Sequence, residues 1–440
     1  MNFQKICVIG LGYIGLPTAS TFATHGLEVL GVDINASVIE TLRSGEIHIH
    51  EPGLRDLVSQ AMHSGNFAFS TVPEEADAFL IAVPTPFQSD AHGEFEGRKY
   101  RLADMSTVIS ATEAILPYLR KGNLVVLEST SPPRTTVDIV QPILERSGLK
   151  AGTDFYLCYS PERVLPGQIL RELIENARIV GGITTDSARA GRELYATFVR
   201  GHMIETDATT AEMVKLMENT TRDVNIAIAN EFSRLAERFG VDVWEAIRLA
   251  NLHPRINILN PGPGVGGHCI SVDPWFFVEA APELTQLIYQ ARLVNDAQPK
   301  FVVEKVRQAL GSLKDKKIAA LGLAYKPDVD DLRESPATEV VHLLQEEGAQ
   351  VNVWEPFKPD AQTHGAYMTS SLDSALAEAD AILLLVRHTE FVNLISNEIA
   401  LKTKARIVID TVNAWDSNEW QKEGFQYHRL GDNKSPITHL

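Results

Sequence analysis

Val8-Ile9-Gly10-Leu11-Gly12-Tyr13-Ile14-Gly15-Leu16-Pro17 stands near the start of a 440-residue chain, and its reading decides the fold. Ile6–Gly10 has the apolar run of a buried strand, and Tyr13–His25 follows with the small residues of a closely packed helix. A second strand, Leu27–Asp33, and a second helix, Ala36–Arg43, complete a strand–helix–strand unit. In that setting the G-x-G-x-x-G spacing has a physical meaning. Gly10 permits the tight turn, Gly12 lets a pyrophosphate approach the backbone, and Gly15 lets helix and strand pack closely. The free N–H groups of the helix start would then face the phosphates. Asp33 ends the second strand, 18 residues after Gly15. A carboxylate there accepts hydrogen bonds from a ribose 2′-hydroxyl and repels a 2′-phosphate, which predicts NAD rather than NADP.

Working outward, strands are predicted at Ala78–Val83, Leu124–Leu127 and Phe155–Tyr159, with helices at Met105–Leu116 and Thr136–Ser147. Such alternation calls for a parallel sheet covered on both faces. Pro84-Thr85-Pro86 ends regular structure, and Gln88–Leu102 reads as a long polar loop. After Thr206 the character changes. Thr209–Phe239 keeps a helical apolar period without Pro or Gly, enough for a helix of roughly 46 Å that crosses a domain interface or anchors a dimer. A helix at Val243–Leu252, a Pro/Gly-rich loop at Asn260–Gly267 and a helical stretch over Glu283–Leu310 follow. Strand–helix alternation restarts at Lys317, with strands at Ile318–Leu321, Val351–Trp354, Ile382–Val386 and Ile407–Asp410. The predicted class is α/β: two Rossmann-like doubly wound domains (1–205 and 313–440) joined by a helical middle domain (206–312) with a long central helix.

Composition narrows the function. Hydrophobic residues make up 44% and charged residues 22%, as expected of a globular chain with large cores. The net charge of −17 argues against nucleic acid as a partner. No apolar run approaches the ~18 residues of a membrane helix, so no membrane partner is expected. The Met1–Lys5 start has no signal-peptide layout. Cys7, Cys158 and Cys269 are too few and scattered for a disulfide framework, which points to a reducing, cytoplasmic setting.

Two clusters carry candidate chemistry. Cys269 closes Gly262-Pro263-Gly264-Val265-Gly266-Gly267-His268-Cys269, where glycines let backbone approach a ligand. A thiol there could attack a carbonyl, and Asp273 could orient a water or a lysine. The alternative is a buried, inert thiol, the reading preferred for Cys7 and Cys158. Lys215, Asn219 and Arg222 share one face of the long helix and could hold an oxygen-rich substrate. The alternative is a solvated face paired to Glu212 or Glu218. In the C-terminal half, Leu321-Gly322-Leu323-Ala324-Tyr325-Lys326 lacks a second pyrophosphate cradle, but Lys326 and Arg333 suit an anionic ligand at a strand end. No residue set has metal-ligand spacing, so no metal is predicted.

Together these motifs resemble the UDP-glucose/GDP-mannose dehydrogenase family over almost the full chain. The resemblance rests on Val8–Pro17, Val83-Pro84-Thr85-Pro86, Glu128-Ser129-Thr130 and Tyr159-Ser160-Pro161-Glu162-Arg163. It extends through Ala211–Asn219, Gly264–Asp273, Gly322–Lys326 and Asp331–Pro336. His268-Cys269 with Ile270–Phe276, His253–Leu259 and Pro161–Gly167 are similar to the branch that acts on UDP-N-acetyl-D-mannosamine; a sister activity on UDP-N-acetylglucosamine shares the His-Cys pair. The resemblance implies oxidation of a UDP-amino sugar at C6 to a carboxylate, with two hydrides passed to NAD. It implies catalysis by Cys269, Lys215, Asn219, Asp273 and Glu162. Gly10, Gly12, Tyr13, Ile14, Gly15, Asp33, Thr85, Thr130 and Arg333 would serve the NAD site. Arg163, Val164, Lys215, Asn219, Arg222, Gly266 and Lys326 would contact the sugar nucleotide, with His253 and Arg255 reaching it across a homodimer. Two departures stand out. The segment Asp410–Asp416 lacks an arginine that the branch often places after its tryptophan, and Gln88–Leu102 is longer than the family pattern. A two-electron hydroxyacid-type dehydrogenase, which would not need Cys269, and a non-catalytic NAD-responsive protein are the competing readings.

Overall fold

The computed structural model describes residues 3–49, 51–362 and 366–433. Two compact units make up the chain, Met1–Glu218 with Trp275–Leu284, and Asn219–Pro274 with Thr285–Leu440.

An eight-stranded sheet organises the first unit. Its spatial order is Met203–Asp207, Arg178–Gly182, Tyr156–Tyr159, Leu124–Leu127, Ala78–Ile81, Lys5–Ile9, Glu28–Val32 and Phe67–Ser70. Central strands are buried on both faces, which explains their unbroken apolar runs: Ile6, Cys7 and Val8 are fully covered, as are Leu124 to Leu127. The pairing is parallel with one exception. Tyr156–Tyr159 and Arg178–Gly182 run antiparallel, with Cys158 opposite Gly182 and Tyr159 opposite Gly181. The expectation of a wholly parallel sheet is corrected there. Cys7 and Cys158 lie in the sheet, and burial pushes the Cys7 thiol up to about 12 and that of Cys158 higher still.

Three local expectations also need correction. The first helix spans Gly15–Thr24 rather than beginning at Tyr13, because Gly10 turns the chain at φ 94° before the helix can start. Gln88–Leu102 is not a loop but most of a hairpin, Phe87–Phe95 paired with Arg98–Ala103. Its two-residue turn, Glu96-Gly97, has positive φ at both positions, the geometry that suits right-twisted strands. Glutamate is an uncommon first residue for such a turn, so the hairpin signal is weak in sequence. The hairpin is fastened to the helix Asp273–Ala280: the Ala103 N–H donates to Glu279 at 2.8 Å, and Phe87 meets Phe276 edge-on. Finally, Thr136–Ser147 is a π-helical turn, Thr136–Val140, leading into a short α-helix, Gln141–Glu145, since Pro142 offers no N–H to a continuous α ladder.

The second unit holds a six-stranded parallel sheet in the order Tyr367–Met368, Gln350–Trp354, Lys317–Leu321, Ala381–Leu384, Ile407–Asp410 and Gln426–Arg429. Helix Pro336–Glu346, capped by Ser335, covers it. The long helix, Ala208–Phe239, passes from one unit into the other. In the second unit its polar side chains meet two further helices, Gln286–Asp296 and Gln298–Leu310, at every second turn. Asp223 pairs with Arg292 at 2.5 Å, Asn230 with Asn295 at 2.9 Å, and Glu237 with Lys305 at 2.6 Å. The single helical stretch expected over Glu283–Leu310 is thus two helices, the second opening with Pro299 in its first turn.

Candidate active site

In the first unit the glycine turn is packed from behind and open in front. A Cβ on Gly10 would lie 2.5 Å from the Ala82 carbonyl oxygen, and one on Gly15 would lie 1.8 Å from that of Gly10. A Cβ on Gly12 would meet no atom within 4 Å. The turn therefore leaves room at Gly12 for a phosphate, and the residues fit a dinucleotide. Asp33 accepts the Leu11 N–H at 3.0 Å through one oxygen and the Asn35 N–H at 2.9 Å through the other, so it also clamps the turn. Thr85 and Thr130 meet at the neighbouring strand ends, where the Thr85 hydroxyl donates to the Thr130 carbonyl at 2.8 Å. Gly10, Gly12, Tyr13, Ile14, Gly15, Asp33, Thr85 and Thr130 thus follow the carboxyl ends of strands of one sheet, the edge where open α/β sheets take ligands.

The same edge carries Glu162. Its carboxylate accepts the Arg163 N–H at 2.8 Å and the Arg178 guanidinium at 2.7 Å. Arg178 also donates to Glu128 at 2.7 Å and to the Ser160 hydroxyl at 3.0 Å. Burial pushes the Glu128 carboxyl up to about 7, with Arg178 opposing the shift. Arg178 and Tyr195 were not anticipated as site residues. The available signal was a lone arginine heading the apolar stretch Arg178–Gly182. Arg163 ion-pairs with Glu218 at 2.7 Å and donates to the Ala177 carbonyl; Val164 packs against the apolar core.

Lys215 is only 9% exposed. Glu212 accepts the Arg134 and Thr136 N–H groups at 2.6 and 2.7 Å, and Glu218 is taken by Arg163. The solvated, ion-paired face considered for Lys215 is therefore not what forms. Arg222 on the same helix is exposed.

In the second unit Cys269 is half-buried and opens a turn: the Val272 and Asp273 N–H groups donate to its carbonyl at 3.0 and 2.8 Å. Asp273, 1% exposed, accepts the Asn219 side-chain amide at 2.6 Å. Two residues singled out from the sequence are thereby joined, and the long helix is tied to the cysteine turn. The glycines ahead of Cys269 are required by what lies beneath them. A Cβ on Gly266 would lie 2.5 Å from the Glu334 carbonyl oxygen, and one on Gly267 would lie 2.7 Å from the Tyr325 ring. The Gly267 N–H donates to the Arg333 carbonyl at 3.0 Å. The thiol loop is seated on the segment that bears Lys326 and Arg333. Arg333 pairs with Asp331 at 2.7 Å, and Lys326 Nζ stands 5.6 Å from the Tyr325 ring centroid. His253 and Arg255 are exposed, with the Arg255 N–H 3.4 Å from His253 Nδ1. Trp415, in the departing C-terminal segment, is buried, stacks on Trp420 and donates to the Phe391 carbonyl at 2.8 Å.

Comparison with known proteins agrees with this division of labour. Models of the UDP-glucose/GDP-mannose dehydrogenase family match in three parts: the NAD binding domain over residues 4–199, the central domain over 209–297, and the UDP binding domain over 319–417. The UDP-N-acetyl-D-mannosamine dehydrogenase of Methanocaldococcus jannaschii is 48% identical over 436 residues, 98% of this chain and 97% of that one. An NDP-N-acetyl-D-galactosaminuronic acid dehydrogenase of Ralstonia nicotianae is 47% identical over 427 residues, 95% and 97% of the two chains. The solved UDP-N-acetyl-mannosamine dehydrogenase of Staphylococcus aureus superposes with a TM-score of 0.88 at 45% identity, covering 98% of this chain and 99% of that one.

Proposed function

This chain belongs to the UDP-glucose/GDP-mannose dehydrogenase family, and from that premise we propose that it oxidises UDP-N-acetyl-D-mannosamine at C6 to the uronate. It is an NAD-dependent nucleotide-sugar dehydrogenase. Its product would serve as a precursor for surface polysaccharide. UDP-N-acetyl-D-glucosamine is the alternative substrate.

The observation that carries the reading is the Asn219–Asp273 bond, which joins the helix bearing Lys215 to the turn opened by Cys269. NAD, when bound, supplies the hydride acceptor for each oxidation, held by Gly10, Gly12, Tyr13, Ile14, Gly15, Asp33, Thr85 and Thr130, with Arg333 toward its pyrophosphate. Lys215 holds or moves the proton at the C6 oxygen and, with Asn219 beside it, stabilises charge that develops there. The Cys269 thiolate forms a C–S bond to the aldehyde from the first oxidation, giving a thiohemiacetal. Loss of its hydride leaves a thioester. Water oriented by Glu162 or Asp273 then breaks the C–S bond, releases the carboxylate and returns the thiol. One alcohol, two NAD and one water give one carboxylate, two NADH and three protons. Arg163, Val164, Arg222, Gly266 and Lys326 hold the sugar nucleotide.

Residues 1–205, 206–312 and 313–440 would act as nucleotide, helical and UDP-sugar modules. A homodimer is supported by Ile228, Phe232, Leu235 and Phe239, apolar residues that stand exposed at helical spacing on the long helix, and His253 and Arg255 would reach the partner's site. A cytoplasmic setting accords with three cysteines that form no disulfide among the described residues. Among the described residues no helix is long and apolar enough to cross a membrane.

NADH absorbance with UDP-N-acetyl-D-mannosamine, UDP-N-acetyl-D-glucosamine, UDP-glucose and GDP-mannose side by side tests the assignment. Two NADH per UDP-N-acetyl-D-mannosamine are expected, and at most one from Cys269→Ser. One NADH from the wild type, or full activity in Cys269→Ala, would favour the two-electron reading instead.

A further inference from the structure

Glu162 reaches its position through a buried charge cluster that the reaction scheme leaves without a role. Arg178 is the first residue of its strand, and in a parallel sheet it would lie at the amino edge, away from the ligand side. The single antiparallel pairing reverses this. Cys158 faces Gly182 and Tyr159 faces Gly181, and the same register continued three residues sets Glu162 opposite Arg178. The Arg178 side chain is only 4% exposed and Glu162 only 7%, while Glu128 is fully covered.

Every nitrogen of the guanidinium is engaged. One terminal nitrogen donates to Glu162, the other to Glu128, and Nε donates to Ser160. Its central carbon, Cζ, lies 3.6 Å from the Tyr195 ring centroid, and the Tyr195 hydroxyl donates to the same Glu128 oxygen that Arg178 uses. The other Glu128 oxygen is buried without a hydrogen-bond partner. Burying two carboxylates around one cation is costly, and a purely structural pair would need only one of them. The planar fork of arginine can address two carboxylates in fixed directions, which a lysine point charge does not do.

We propose that Arg178, held by Glu128, Tyr195 and Ser160, is a positioning residue that aims the Glu162 carboxylate at the water that releases the acid. This rests on the assignment of Glu162 to the hydrolytic step. Loss of that aim slows hydrolysis and leaves substrate bound to Cys269 as the thioester, while both oxidations proceed.

The test quenches turnover and weighs the intact protein, alongside kcat, KM and melting temperature, for Glu162→Gln, Arg178→Lys, Arg178→Gln and Tyr195→Phe. Expected are a substrate-mass adduct on Cys269 in all four and a kcat loss of about 100-fold for Arg178→Gln. The loss should be smaller for Arg178→Lys and smallest for Tyr195→Phe, with little change in KM. An adduct in Glu162→Gln but none in the Arg178 and Tyr195 variants overturns the proposal and leaves the Glu162 assignment standing. No adduct and no rate loss in Glu162→Gln overturns that assignment itself. Should the Arg178 variants fail to fold, Tyr195→Phe decides, because it removes one hydroxyl: a slowed variant with a free Cys269 thiol counts against the proposal.

Discussion

Glu128 shows how one buried residue imposes a pH dependence. Arg178, Tyr195, Glu162 and Cys158 face it, and desolvation outweighs the pull of Arg178, so its carboxyl is pushed up to about 7. In the unfolded chain it would titrate near ~4.3. Between those values the folded protein keeps a proton that the unfolded chain has released. Stability from this group is therefore complete at low pH, falls as pH rises toward about 7, and is flat above. The drop is on the order of 4 kcal/mol. Glu128→Gln cannot titrate and keeps a carbonyl oxygen for Tyr195 and Arg178. Urea midpoints of variant and wild type should thus diverge in the variant's favour between about pH 5 and 7 and run parallel above. Parallel behaviour across the whole range would mean that Glu128 titrates as an ordinary carboxyl. The sequence displayed Glu128 only as part of a motif; its raised affinity for a proton comes from neighbours 50 and 67 positions away.

At the scale of elements, the strand–turn–helix unit was legible because each glycine answers a local steric demand. The structure separates those demands. Gly12→Ala adds a methyl into open space, so the fold should keep its melting temperature while NAD affinity falls about 10-fold or more as the cradle fills. Gly15→Ala drives its methyl into the Gly10 carbonyl, so it should lower the melting temperature itself. Isothermal titration with NAD and thermal melts of both variants distinguish the two, and equal melting losses would show the Gly12 cradle to be structural. A counterpart in the C-terminal sheet escaped the sequence reading. Glu355 follows the strand Gln350–Trp354 as Asp33 follows Glu28–Val32. It accepts the Leu323 and Ala324 N–H groups at 2.7 and 3.0 Å, and His388 lies 3.1 Å from it. Without the glycine fingerprint nothing in the sequence marks this carboxylate. The hairpin was missed for a similar reason, its Glu-Gly turn being a weak signal for the positive φ it adopts.

For the molecule as a whole, the long helix supplies the outstanding surface feature. Ile228, Phe232, Leu235 and Phe239 fall at i, i+4, i+7 and i+11, and Phe239 is 74% exposed. An apolar seam of that spacing suits a second copy of the same helix across a two-fold axis. Phe232→Glu with Leu235→Glu should shift a homodimer to monomer by light scattering, since burying two carboxylates in such a seam is prohibitive. Activity should fall with it if His253 and Arg255 serve the partner's site. A dimer that survives both substitutions would place the contact elsewhere.

Fold class, cofactor and the candidate thiol were determined by the sequence alone. Hydrophobic period, glycine spacing and the carboxylate after the second strand are local properties, and local sterics and backbone hydrogen bonding act within a few residues. Tertiary structure alone decided which polar groups meet. It joined Asn219 to Asp273 and seated the Cys269 loop on Tyr325 and Arg333. Through one antiparallel pairing, it also turned Arg178 to face Glu162. Coulomb and hydrogen-bond energies depend on distances in space, and residues far apart in the chain acquire those distances only when the sheets and helices assemble.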